Sequence, residues 1–153
     1  MTTAGAIPAD PTEVTGAWLS EILGVHITSV AVEPIGTGQT GATYRVTPSY
    51  AGEPSGLPES MVVKLPSQDN VVRDQVALGY RAEHAFYSEV ADTLAVPLPT
   101  CFHCEVDRNG ADFVLLMADL APAVQGDQIA GCSPAQARLA VTALAGLHGP
   151  RWC

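Results

Sequence analysis

Basic residues are scarce in this chain. Seven Lys+Arg stand against 16 Asp+Glu, which gives a formal net charge of −9. A chain this acidic repels phosphate backbones and anionic membranes, so we expect neither a nucleic-acid partner nor a membrane partner. A small anionic ligand is still allowed, because backbone amides and one local cation can bind it in spite of the net charge.

Long apolar runs are also missing. No stretch approaches the ~20 residues of a membrane span, and no basic start followed by an apolar run indicates a signal peptide. We therefore expect a cytoplasmic protein with reduced thiols. Hydrophobic residues nevertheless make up 47% of the 153 residues, which is typical of one folded domain with a real core.

Cysteine is infrequent, and its spacing argues against a metal site. Cys101 and Cys104 form a CxxC pair with His103 between them, whereas Cys132 and Cys153 stand alone. A structural zinc site needs four ligands, usually from a second pair. Residues three apart on a strand point to opposite faces, so we expect no metal and interpret Cys101 or Cys104 as a small core residue.

Hydrophobic periodicity predicts a mixture of strands and helices after a loose lead-in over residues 1–14. The predicted elements are helices at 15–23, 74–94 and 133–147, and strands at 26–35, 42–47, 61–65, 100–106 and 112–117, with a surface loop over 48–60. Asn109-Gly110 predicts a type I′ turn between the last two strands. Five strands joined mainly by short turns predict an α+β fold, with a mainly antiparallel sheet and one packed helix.

A glycine-rich segment separates the first two predicted strands, with Gly36, Gly38 and Gly41 in a GxGxxG spacing. In a dinucleotide-binding oxidoreductase this spacing must lead into a helix, whereas here a β-branched and aromatic segment follows. Strand–loop–strand is typical of kinase loops that cover nucleotide phosphates, where a Cβ would block the approach of the backbone. A glycine-rich hairpin turn without a ligand is the alternative.

Lys64 is the only lysine, and it lies inside an apolar segment, MVVKL. A buried cation is costly without a partner, and an ammonium is a compact charge suited to phosphate. The alternative is a lysine on the solvent face of an edge strand. If Lys64 binds phosphate, an anion must hold it. Glu83 is the first candidate because it shares a helical stripe with apolar residues, and Glu89, off that stripe, is the second.

Several short segments resemble the aminoglycoside phosphotransferase and choline/ecdysteroid-kinase-like family, which has a protein-kinase-like fold. They are PIGTGQTGATYRV at 34–46, GLPESMVVKLP at 56–66, EHAFY at 83–87, VPLP at 96–99, FVLLMADLAP at 113–122 and LAGLH at 144–148, with Trp152 after the last. Together they cover nearly the whole chain in the family's order.

The resemblance implies a nucleotide-binding N-lobe over residues 1–120, followed by a linker and the first helix of a truncated C-lobe over 121–153. ATP would be the cofactor. Its phosphates would meet the glycine segment and a Lys64–Glu83 pair, and its adenine would meet the hinge, although burial alone explains Met117 equally well. The implied nucleotide-binding residues are Gly36, Gly38, Gly41, Lys64, Glu83, Met117, Ala118 and Leu120.

The catalytic segment of that family has no counterpart here. Its members carry a His-Gly-Asp loop, then an Asn and an acidic motif that hold Mg²⁺. This chain has His148-Gly149-Pro150 without the Asp, and Asp119 belongs to the adenine side. We therefore expect no catalytic residue and no metal ligand in this chain, with Mg²⁺ held by a missing C-lobe.

Three functions are open at this point. The first is the ATP-binding lobe of a kinase that phosphorylates a small hydroxylated acceptor, inactive without its C-lobe. The second is a non-catalytic module that binds nucleotide or a protein partner. The third is a dinucleotide-binding oxidoreductase, which a strand after Gly41 would exclude. In the first two cases we also expect self-association, because the apolar residues of helix 133–147 would lack a C-lobe to cover them.

Overall fold

The computed structural model describes residues 6–36, 41–52, 56–124 and 126–152. They form an α+β fold with the five predicted strands in one antiparallel sheet and three α-helices. The prediction of one packed helix is wrong, because both the first and the second α-helix pack on the sheet. The elements are α1 (Gly16–Leu23), β1 (Ile27–Pro34), β2 (Gly41–Tyr50), β3 (Met61–Pro66), α2 (Asn70–Ala85), β4 (Cys101–Val106), β5 (Phe113–Ala118) and α3 (Pro134–His148). Within the described ranges, no helix is long and apolar enough to span a membrane.

The strand order is β1-β2-β3-β5-β4, so β3 lies in the middle of the sheet. Strand β2 extends through Pro48 to Tyr50, where we had predicted a surface loop from residue 48 onward. It pairs with β3 only over its first six residues, from Gly41 to Val46. Beyond Val46 its far side has no partner strand among the described residues. A proline there therefore removes no hydrogen bond of the β2–β3 ladder, and Pro48 continues the pairing with β1.

One face of the sheet packs against α1 and forms the larger core. Thr15 caps this helix by accepting a hydrogen bond from the Trp18 N–H at 3.2 Å, and Gly24 ends it in the left-handed conformation. The fully buried side chains here are Leu19, Val46, Met61, Val63, Leu65, Val114 and Leu116. Alternate residues of β3 therefore point to α1, and the others, including Lys64, point to the opposite face.

The opposite face packs against α2 at its β4–β5 side. Tyr80 of α2 stacks on Phe113 with ring centroids 5.2 Å apart, and Leu115 lies beside them. Asp69 caps α2, so the helix begins earlier than predicted. After Ala85 the chain continues through a π-helical turn over residues 86–90 and a 3₁₀ turn over 91–93, so the predicted long helix consists of three helical segments.

The prediction of a loose lead-in is wrong for the described residues 6–14. Pro8 is fully buried, Val14 joins the α1 core, and Asp10 with Glu13 forms a capping box on a 3₁₀ turn. The apolar residues in this segment bury against α1 and the sheet, which offsets the entropy of ordering it. The first five residues lie outside the described part of the chain.

The β4–β5 turn is not type I′, because that turn requires positive φ at both central residues and only Gly110 has it, at 80°. The Asp107 carboxylate instead accepts hydrogen bonds from the backbone N–H groups of Asn109 and Asp112. A Cβ at Gly110 would lie 2.6 Å from Arg81 Nε. Glycine is therefore required there both by its φ and by the close approach of α2.

Helix α3 begins where predicted, with Ser133 and Gln136 in a reciprocal capping box. None of its described side chains is buried. It meets the rest of the fold at Gly146, whose carbonyl accepts a hydrogen bond of 3.2 Å from the Ala95 N–H. A Cβ at Gly146 would collide with the Ala95 carbonyl, so the glycine permits this contact.

Candidate functional site

Lys64 and Glu83 form the centre of the candidate site. The Lys64 Nζ lies 2.8 Å from Glu83 Oε1 and 2.6 Å from Oε2. Lys64 belongs to the middle strand of the sheet, so the alternative of an edge-strand lysine is wrong. Of the two candidate glutamates, Glu83 makes the contact, while Glu89 is exposed in the π-helical turn.

The pair is only partly shielded from water. The side chains of Lys64 and Glu83 are 28% and 26% exposed. A cavity of about 330 Å³ borders them and is lined also by Val76, Gly79 and Tyr80 of α2. An ammonium has three donors, and the two carboxylate oxygens occupy two. The third donor can therefore meet an anion that approaches from this open side.

Strand pairing arranges the rest of this face in two parallel rows, since directly opposed residues in an antiparallel sheet share a face. One row contains Thr43, Lys64, Leu115 and Cys104, and the next contains Arg45, Val62, Met117 and Cys101. Helix α2 packs at the β4 side of these rows. The residues at the β2 side are half-buried, so this side of the face is only partly covered. We call this partly covered side of the face the cleft.

The glycine segment reaches Lys64 directly. A Cβ at Gly41 would lie 3.1 Å from the Leu65 carbonyl oxygen and 3.4 Å from Lys64 Cε. Gly36 has a φ of 80°, which favours glycine. A cavity of about 320 Å³, lined in part by Gly36, Gly41 and Asp69, lies beside these two glycines. Gly38 lies outside the described residues.

Strand β2 begins at Gly41, so the helix that the oxidoreductase hypothesis requires after this glycine is not there. A GxGxxG segment that opens a dinucleotide site has its glycines at the start of a helix, whose N-terminus binds the pyrophosphate. Here the segment joins two paired antiparallel strands, β1 and β2. The arrangement agrees with a strand–loop–strand hairpin and contradicts a βαβ unit.

Of the three hinge residues proposed from the sequence, Met117 and Ala118 end β5, and Leu120 lies two residues beyond it. Met117 is half-buried on the cleft face. The Ala118 N–H donates to the Thr100 carbonyl at 2.8 Å and is therefore occupied. Leu120 is 60% exposed, and among the described residues its backbone N–H has no hydrogen-bond acceptor.

A second ion pair lies at this end of the cleft, and the sequence analysis missed it. Arg45 Nε is 2.6 Å from Asp119 Oδ2, and Arg45 Nη2 is 3.4 Å from Oδ1. The Ser60 hydroxyl donates to the same carboxylate at 2.9 Å, as does the Ala121 N–H. The pKa of the Asp119 carboxyl is lowered to about 2, mainly by the Arg45 hydrogen bond, while burial opposes the shift.

Arg45 and Asp119 are 74 residues apart in the chain, so no local pattern connects them. The one available signal was an arginine inside the predicted strand 42–47, where it alternates with the apolar residues Tyr44 and Val46. Such a cation needs a partner. The only acidic residue of the segment at 113–122 was Asp119.

The two cysteines of the CxxC pair share a face, which corrects the prediction from strand alternation. The pairing of β4 with β5 shifts register between Cys101 and His103, and this irregularity turns both thiols toward the Tyr80 cluster. Both are free thiols, and burial raises the pKa of Cys104 to about 12. In the part of the chain that the structure describes, no group of three or more His, Cys, Asp or Glu residues is arranged to hold a metal.

No protein-family model matches this chain, and no curated protein sequence matches it significantly.

Proposed function

We propose that this chain is the ATP-binding lobe of a small-molecule O-phosphotransferase with a protein-kinase-like N-lobe. The observation that carries the proposal is the Lys64–Glu83 pair, which joins the middle strand of the sheet to α2 beside Gly41. In kinases a lysine on the third strand and a glutamate on the following helix form such a pair, and the lysine contacts the α- and β-phosphates.

The phosphate end of the proposed site uses backbone and one cation. Glu83 orients the Lys64 ammonium and balances its charge, and one N–H of the ammonium stays available for a phosphate oxygen. The absence of a Cβ at Gly41 lets the β1–β2 hairpin approach that position closely. These features suit a polyphosphate in spite of the net charge of −9, because the binding depends on local groups.

The purine end of the proposed site is apolar, with a polar backbone edge. Val62 and Met117 present apolar atoms on the cleft face, where a flat base can pack. The backbone from Ala118 to Leu120 runs along the border of this surface, and the Leu120 N–H would donate to the base. Residues 1–120 would then form the N-lobe, and 121–153 the linker and first helix of a C-lobe.

Chemistry on an acceptor hydroxyl needs groups beyond these. The carboxylates that border the site are already used, because Glu83 binds Lys64, Asp119 binds Arg45 and Asp69 caps α2. The described residues therefore offer Mg²⁺ no fitting ligand set. In the family that the motifs resemble, a C-lobe supplies the metal ligands and the acceptor base. A non-catalytic nucleotide-binding module is the second candidate for the same reason.

Titration of the chain with ATP and Mg²⁺ tests the proposal. We expect weak binding, which Lys64→Met abolishes, because the substitution removes the phosphate donor. Arg138→Met is the matched control: it also deletes one positive charge, but on an exposed position of α3, and it should bind ATP as the wild type does. Equal affinity of wild type and Lys64→Met would exclude Lys64 from the site and refute the proposal.

A further inference from the structure

The Arg45–Asp119 pair joins three strands at the purine end of the cleft. Arg45 belongs to β2, Asp119 follows β5, and Ser60 immediately precedes β3, which lies between them. Among the described residues, the Asp119 carboxylate accepts two hydrogen bonds from Arg45 and one each from Ser60 and Ala121. The carboxylate thereby fixes both the strand ends and the first turn after β5.

The exposure of the two partners is unequal. The Asp119 side chain is 7% exposed and the Arg45 side chain 38%. The carboxylate is therefore an internal anchor, while part of the guanidinium lies at the surface of the cleft. Arg45 is directly opposite Val62, which is directly opposite Met117, so the guanidinium lies beside the apolar surface proposed for the base.

The two ion pairs occupy different ends of the site. Val62 and Lys64 are two residues apart on β3, which corresponds to roughly 7 Å along the strand. The row of Lys64 continues to Thr43 of β2, and the row of Val62 continues to Arg45. A change at Arg45 or Asp119 therefore acts at the purine end and leaves the Lys64–Glu83 contact in place.

We infer that Arg45 and Asp119 are a positioning pair for base recognition, which sets the path of the backbone from Ala118 to Leu120 and leaves phosphate binding unaffected. The inference rests on the proposed function, because that backbone is the edge that would meet the base. Asp119 acts through the Ala121 N–H, two residues further along, so the chain direction between Met117 and Ala121 depends on the carboxylate.

The test uses two probes that separate the ends of the site: adenosine for the purine end and inorganic tripolyphosphate for the phosphate end. Each is titrated by NMR into the wild type, Asp119→Asn, Arg45→Lys and Lys64→Met. Asp119→Asn keeps an acceptor for the Ala121 N–H but loses the charge, and Arg45→Lys keeps the charge but loses the planar fork. The dispersion of each spectrum shows whether the variant is folded.

We expect Asp119→Asn and Arg45→Lys to bind adenosine about tenfold more weakly, because a misplaced backbone edge would lose roughly one hydrogen bond to the base. The tripolyphosphate affinity should be unchanged. Lys64→Met should show the reverse pattern. The Ala121 amide should also exchange with solvent faster in Asp119→Asn.

Two results would overturn the inference, and they differ. If the wild type binds both probes while Asp119→Asn and Arg45→Lys lose both equally, or lose neither, the pair has no specific role in base recognition and the proposed function stands. If the folded wild type binds neither probe, the proposed function is wrong and the inference falls with it.

Discussion

Asp119 gives a stability prediction whose size follows from its hydrogen bonds. Its carboxyl has a folded-state pKa of about 2 against an ordinary value of 3.8. Each unit of difference corresponds to about 1.4 kcal/mol, so the shift implies at most roughly 2.5 kcal/mol of stabilisation. Because Arg45, its main partner, is partly exposed to solvent and the pair is screened accordingly, we expect Asp119→Asn to lower the free energy of unfolding by about 1–2 kcal/mol at pH 7.

The sign of the pH dependence follows from the direction of the shift. A carboxyl whose pKa is depressed on folding stabilises the protein above its unfolded-state pKa, and this stabilisation is lost as the pH falls through the folded-state pKa. For Asp119 the loss should occur between pH 4 and pH 2, the window set by the two pKa values. The difference between wild type and Asp119→Asn should therefore narrow across this window.

Urea unfolding of the two proteins at pH 7 and at steps down to pH 2.5 measures both effects. Asp74→Asn is the matched control, because Asp74 is an exposed residue of α2 and should change stability by less than about 0.5 kcal/mol. The reasoning would be refuted if Asp119→Asn matched the wild type at pH 7, or if its deficit stayed constant down to pH 2.5.

Two further predictions concern the surface and the thiols. Helix α3 exposes Leu139, Val141 and Leu144, so the chain should self-associate in analytical ultracentrifugation. Leu139→Glu should shift the protein toward the monomer, and a wild type that is monomeric at all concentrations would contradict this prediction. Burial raises the pKa of Cys104 to about 12, so this thiol should react with iodoacetamide at pH 8 far more slowly than the exposed Cys132. Peptide mass spectrometry would measure the two rates, and equal rates would contradict the burial of Cys104.

Local signals accounted for the parts of the fold that were predicted well. Helices α1 and α3 begin at the expected N-caps, because Thr15 and Ser133 satisfy the first N–H groups of their own helices. The choice of Glu83 over Glu89 depended only on helical phase. The α-helical spacing is regular as far as Glu83, because the π-helical turn begins only after Ala85.

The features that were not predicted depend on contacts between distant segments. The register shift in β4 reverses the face of one cysteine, and nothing in the spacing of Cys101 and Cys104 shows it. The Arg45–Asp119 pair requires β2 and β5 to lie on either side of β3, an order that follows from sheet topology rather than from sequence neighbours. The extension of β2 through Pro48 likewise depends on the end of the β2–β3 pairing at Val46, which the local sequence does not show.

The contact between Gly146 and Ala95 lies near one end of α3, so the helix can pivot about this contact. The helix extends 12 residues from Gly146 back to Pro134, which is roughly 18 Å at 1.5 Å per residue. A tilt of about 10° at the glycine would therefore displace the start of the helix by roughly 3 Å. No side chain of α3 is buried, so little packing resists such a tilt. A partner bound to α3 would therefore change its orientation relative to the sheet by rotation about the Gly146 carbonyl.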